Sequence, residues 1–152
     1  MKLQVILTGV VSINHYDKVA RLTTICLICL LLFQDCVFNK LQSNSELRVS
    51  FQGNMMVLGH AKCIRWYFKF NANECSGPVT IEAAVYNGWS SGNPFLYHHR
   101  SFEGYCKNIS QGAVRVELWV GQFSSGNNLG DAETGRGSVS RIVIEEVSRP
   151  QS

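Results

Sequence analysis

Gly88-Trp89-Ser90-Ser91-Gly92 has the G-x-S-x-G spacing of a nucleophile elbow, in which a strained strand-to-helix turn presents a serine to an acid and a histidine that follow it in the chain. Here Asn93-Pro94 follows in place of a helix, and no histidine lies beyond Asp131, the only aspartate after Ser90. A small serine hydrolase using Ser90 is therefore a distant alternative, and both serines read as hairpin-loop residues. His98-His99 with Glu103 has metal-binding residue types, but neighbours on a strand point to opposite faces and do not converge on one ion. Asp131-x-Glu133 falls short of the oxygen count that calcium takes. Both read as solvated surface. Cys26-x-x-Cys29 has redox or metal spacing, yet it sits in a leucine-rich run without a second ligand pair. The sequence thus offers no catalytic, cofactor-binding or metal residue.

Asn108-Ile109-Ser110 differs from these, because it is the only N-x-S/T sequon in the chain. In a secreted protein such a sequon marks a solvent-facing glycosylation position. Three further cysteines, Cys63, Cys75 and Cys106, lie outside the leucine-rich run and fit an oxidising compartment. Their odd number leaves one without an intrachain partner.

The elements that carry these residues are strands. Arg65-Trp-Tyr-Phe-Lys-Phe70 sets Trp66, Phe68 and Phe70 on one face and Arg65, Tyr67 and Lys69 on the other, the period of a half-buried strand. Glu46 to Gln52 places Leu47, Val49 and Phe51 on one face, and 113–120 does the same with Val114, Val116, Leu118 and Val120. Short apolar runs at 55–58, 79–86, 95–99 and 140–147 are separated by glycine-, asparagine- and proline-rich breaks. Twelve of the 13 glycines fall after residue 52, nearly all at such breaks, which predicts an all-β sandwich or jelly roll. The aromatics opposite the core-facing positions, Tyr67, Tyr86 and Trp119, would stay in water in a lone chain and are candidate interface residues.

The formal charge of +3 is divided unevenly: residues 1–43 hold Lys2, Lys18, Arg21 and Lys40 against Asp17 and Asp35. The remainder is nearly neutral, with basic residues scattered singly, so no stripe tracks a phosphate backbone and nucleic acid is excluded as a partner. Lys18 and Arg21 precede an apolar run, Leu22 to Phe33, followed by a polar exit. That order predicts a signal-like hydrophobic helix, read as a signal peptide removed near residues 34–42, with an uncleaved signal anchor as the alternative. The chain divides accordingly into 1–42, a signal or anchor region with a short linker, and 43–152, the folded domain.

The string Arg65 to Tyr86, then Glu103-Gly-Tyr-Cys106, Val116 to Gly121 and Gly130 to Glu146 resembles the C-terminal domain of the collagen triple helix repeat-containing protein 1 family. The resemblance covers about residues 45–147. It implies a C1q/TNF-like jelly-roll sandwich that assembles as a homotrimer, in a secreted, non-enzymatic extracellular-matrix glycoprotein. It further implies binding to Wnt ligands, Frizzled and its co-receptor in planar-polarity signalling, with roles in cell migration and collagen regulation; a membrane-anchored extracellular binding domain is the alternative. From related jelly rolls it implies a disulfide between Cys75 and Cys106, which leaves Cys63 free or linked between chains. The sequence departs from the family in four respects. No collagen repeat precedes Glu46, Phe123 stands at a cysteine position, Leu58 and Lys62 stand at two more, and the sequon lies at Asn108 instead of in the loop around Ser91 to Asn93.

Overall fold

Twelve strands and no helix make up the described part of the chain. The computed structural model describes residues 2–7, 11–13, 20–22, 32–88, 96–123, 131–136 and 138–148. In chain order the strands are β1 (Lys2–Leu7), β2 (Val11–Ile13), β3 (Ala20–Leu22), β4 (Leu32–Lys40), β5 (Glu46–Leu58), β6 (Lys62–Phe70), β7 (Asn73–Glu74), β8 (Glu82–Asn87), β9 (His98–Cys106), β10 (Gly112–Gln122), β11 (Asp131–Thr134) and β12 (Ser140–Val147).

They form two antiparallel sheets, an arrangement consistent with a jelly-roll sandwich. One sheet runs β1-β12-β5-β11-β2-β3, with β9 along the other edge of β5. The other runs β4-β10-β6-β7, with β8 also paired to β6. The inward set of β6, Ile64, Trp66, Phe68 and Phe70, meets Val114, Val116, Leu118 and Val120 of β10 in one core with Leu47, Val49, Phe51, Ile142 and Ile144 of the facing sheet. Period-two patterning thus becomes a layer of interdigitated side chains between sheets, as expected of aligned sheet packing. Trp66 is fully buried, and its indole N–H donates to Thr134 Oγ1 at 2.8 Å, tying one sheet to β11 of the other.

β5 supports two partners on one edge. β12 pairs with it from Glu46 to Gln52 and β11 from Met55 to Leu58. The changeover falls at Gly53, where a Cβ would collide with the Ser140 side chain and come within 2.8 Å of the Phe51 ring. Only glycine fits there without displacing its neighbours.

The described residues of the N-terminal region are strands. The hydrophobic helix expected from Leu22 to Phe33 is not shown: Leu22 ends β3, Leu32 and Phe33 begin β4, and 23–31, with Cys26 and Cys29, lie outside the described residues. β4 pairs with β10 from Leu32 to Lys40, and Phe38 and Lys40 are buried. β4, which precedes residue 43, is thus a strand of the five-stranded sheet. Among the described residues no helix is long and apolar enough to cross a membrane.

The two ends of the sandwich are built differently. At one, Cys75 and Cys106 form a disulfide, and the Lys107 amide donates to the Gly77 carbonyl at 2.7 Å. Close by in the sequence, Asn71 and Ala72 take positive φ in the two-residue turn between β6 and β7, and the Asn71 amide and side chain both bond to the Arg115 backbone at 2.8 Å. Glu146 accepts the Leu41 and Gln42 amides at 2.9 and 2.8 Å and the Ser45 hydroxyl. Burial of this carboxylate opposes its ionisation, but Ser45, the two amides and the Lys40 ammonium outweigh that and hold it below the usual carboxylate range. At the other end, among the described residues, a slot beside β8 and β9 is lined by both apolar and polar side chains, Val85 and Leu96 as well as Asn87, His98 and Arg100.

Candidate protein-binding surface

Alternation in β6 and β10 sends one set of side chains into the core and the other onto the outer face of the five-stranded sheet. The cross-strand register sets them in rows: Glu117 beside Asp35 and Lys69, Trp119 beside Tyr67, Gly121 beside Arg65, and Cys63 beside Tyr86. Opposite charges and aromatics in such pairs attract. The Arg65 guanidinium lies 3.8 Å from the centre of the Tyr67 ring and pairs with Glu74 at 2.6 Å and Glu82 at 2.8 Å. Its donated bonds to Glu74 push Arg65 further into the cationic form, and the same bonds hold the Glu74 carboxyl below its usual range. Lys69 Nζ sits 4.0 Å over the Trp119 ring, a cation–π contact, and Arg115 pairs with Asp35 at 2.8 Å and Glu117 at 3.3 Å.

This lattice is satisfied except at two atoms. Glu117 is only 4% exposed, and its Oε2 and the Trp119 indole N–H are buried without a hydrogen-bond partner among the described residues. Around the lattice Val37, Tyr86 and Phe123 stand exposed, with Tyr86 at 64%. The face thus carries charged rows with exposed apolar side chains around them. Among the described residues no group of three or more His, Cys, Asp or Glu side chains is placed to hold a metal ion.

A family model of the CTHRC1 C-terminal domain matches residues 28–144. The chain belongs to that family. The match takes in β4 and every strand of the five-stranded sheet. The CTHRC1 C-terminal domain family is not a known enzyme family, and membership points to an extracellular protein-binding module.

Within this CTHRC1-type domain the expected site residues separate into several groups. Cys75 and Cys106 are joined, as the resemblance implied, and Cys63 is a free, half-buried thiol on the outer face. Cys36 is also free, and burial followed by the neighbouring Asp35 charge pushes its thiol up to about 11. Tyr67 and Trp119 are cross-strand neighbours, whereas Tyr86 lies further along the face beside Cys63. The expectation that a lone chain leaves Tyr67 in water does not hold: it is only 6% exposed, stacked under Arg65, and that burial raises its phenol. Asn108 is exposed in the turn between β9 and β10 with φ 60°, a conformation asparagine tolerates, and Ile109 beside it packs on the core.

Ser90 and Ser91 lie outside the described residues. His98 and His99 sit next to each other on β9, and His98 lines the slot at the open end. Glu133 is buried instead of solvated, because Tyr97 donates its hydroxyl to it at 2.6 Å and Arg136 approaches it at 3.4 Å. The sequence reading also missed Asp35, Glu74, Glu82 and Arg115. Their signal lies in register, which pairs Lys69 with Glu74 and Tyr67 with Glu82 across strands that are separated in sequence by a turn.

Proposed function

We propose that the chain is a secreted, non-enzymatic glycoprotein module of the extracellular matrix that works as a homotrimer through protein contacts. Its partners in this reading are Wnt ligands, Frizzled and its co-receptor, and its roles are planar-polarity signalling, cell migration and regulation of collagen deposition. The observation that carries the reading is the Cys75–Cys106 disulfide inside a CTHRC1-type domain, since such bonds form and persist in oxidising compartments. The exposed Asn108 turn supports glycosylation, and the outer face holding Trp119 and Tyr86 supports contact between subunits. Processing that kept β4 would have to fall before Leu32, because removal at 34–42 would take away the strand that pairs with β10.

Expression of the full chain in secreting animal cells tests this. The expected product appears in the medium, begins upstream of Leu32, loses a glycan in Asn108→Gln, has the mass of three chains by light scattering, and is captured by a Frizzled ectodomain with Wnt. A monomer that neither Wnt nor Frizzled captures would overturn the trimer and partner assignments together. Chain retained with membranes would favour the anchored form.

A further inference from the structure

Asn87 is the only asparagine in the chain that is followed by glycine, and it is the last residue of β8, a strand paired with β6 alone among the described strands. Strand alternation sets Asn87 on the same face as buried Val85. From there its carboxamide nitrogen donates to the Val57 carbonyl of β5, in the facing sheet, at 2.9 Å. β9 pairs with β5 only as far as Met55, so this bond joins the two sheets past the point where β9 stops. A primary amide makes that tie.

The residue after it is placed to attack that amide. The ladder between β8 and β6 ends at the pair of Asn87 with Lys62, so Gly88 lies one residue beyond it, and it is exposed. Gly88 has no Cβ to hinder the approach of its nitrogen to the neighbouring carboxamide. Its surroundings also require a glycine, because a Cβ there would come within 2.9 Å of the Tyr86 ring. Ends of edge strands open locally at low free energy, which allows the backbone rotation that brings the Gly88 nitrogen to Asn87 Cγ. The other asparagines all precede residues that bear side chains, and Asn71, before Ala72, has its carboxamide oxygen and its backbone amide both bonded to the Arg115 backbone.

We infer that Asn87 is a site of spontaneous deamidation in the folded chain, and that the reaction releases the end of β8 from β5. The Gly88 nitrogen gives up its proton to water and attacks Asn87 Cγ. A bond from that nitrogen to Cγ closes a cyclic imide, the bond from Cγ to Nδ2 breaks, and Nδ2 leaves as ammonia with a proton returned by water. A second water opens the imide at either carbonyl, which yields aspartate or the isomer whose main chain runs through the side-chain carbon. The product carries a carboxylate, which only accepts, where the amide donated. As aspartate it sets acceptor against acceptor at Val57, and a carbonyl of a buried residue loses its donor. The plainer reading, a permanent tie, makes the opposite prediction: the bond to Val57 keeps the carboxamide away from Gly88 for as long as the chain is folded.

Incubation of the purified full chain at mildly alkaline pH, with and without denaturant, separates the two. Peptide mapping by mass should show Asn87 exchanging its NH2 for OH in the folded chain ahead of every other described asparagine, and an isoaspartate methyltransferase should label the same peptide. Asn87→Gln, whose longer side chain closes an imide less readily, should show neither change. Conversion that waits for denaturant, or that begins at exposed Asn44 before Ser45, would overturn the proposal. The converted chain, separated from the native one by its added charge, should exchange its β8 amides with deuterium at least about ten-fold faster, the effect of a lost bond that leaves an acceptor unpaired. Asn87→Asp should reproduce that rate, and if it does not fold, the aged native chain still gives the measurement. Equal exchange before and after conversion would show that the reaction releases nothing. These readouts are blind to Wnt, Frizzled and trimer mass, so they stand or fall apart from the proposed function.

Discussion

The disulfide end and the slot end of the sandwich are made from the same strands but closed by opposite means. At the first, covalent and polar links satisfy almost every group: Cys75–Cys106, the Lys107 to Gly77 backbone bond, and a Glu146 carboxylate that gathers two amides and a hydroxyl. At the second, Tyr97, Glu133 and Arg136 make one compact cluster, while His98 and Arg100 are exposed and line the slot. Covalent fastening is thus found at one end, and side-chain polar clusters alone at the other.

The sharpest way to break this contrast is to remove the fastening. Replacing both Cys75 and Cys106 by alanine should destabilise the chain by about 3 to 4 kcal/mol, given the 31-residue separation. Denaturant unfolding of the full chain measures the loss. A change well under 1 kcal/mol would mean that polar closure alone holds that end.

An intermediate effect is expected at the slot end. Tyr97→Phe removes the hydroxyl that donates to buried Glu133 at 2.6 Å and accepts from Arg136 at 2.8 Å. The expected loss is about 1 to 2 kcal/mol, because a buried carboxylate is left with one fewer donor. Burial, then the bond to Glu133, also raises the Tyr97 phenol above its ordinary value of 10.0, so the native ultraviolet titration should contain a late tyrosine that Tyr97→Phe deletes.

The smallest effect belongs to Glu146. Glu146→Gln should cost about 1 kcal/mol at neutral pH, less than buried charged bonds because the carboxylate is half exposed. Its folded value lies below the ordinary 4.5, so its contribution is present above that pH and is lost as pH falls through the lowered folded value. Unfolding measured across this acid range should slope less in Glu146→Gln than in the native chain. Equal slopes would assign the acid sensitivity to other carboxylates.

β6 and β10 alternate in sequence, and their inward residues are the ones that alternation names, although Tyr67 and Glu117 on the outer face are buried as well. β4 was hidden for two reasons. Its first residues, Leu32 and Phe33, continue a leucine-rich run that reads as a targeting segment, and buried Lys40, which donates to the Gln42 carbonyl, breaks the apolar period. β9 was blurred because its inward row ends in Arg100 and His98. The candidate surface was legible in Tyr67, Tyr86 and Trp119 only as outward aromatics. That Arg65 would cover Tyr67, and that Glu74 and Glu82 would meet on Arg65, depends on strand register, which no local pattern fixes. The slot was least legible of all, since Met55 and Val57 look like any core residues until two edge strands part above them.

Gly53 carries a consequence for the way the molecule comes apart. Because one continuous strand serves β12 on one side of that glycine and β11 on the other, with β9 along its far edge, neither half of the sheet can detach without breaking the strand's bonds to a shared neighbour. Amide protons of β5 on either side of Gly53 should therefore exchange with solvent deuterium together and only through global opening, while the amides of the β8 edge exchange earlier. The two halves of this sheet should melt as a single cooperative unit.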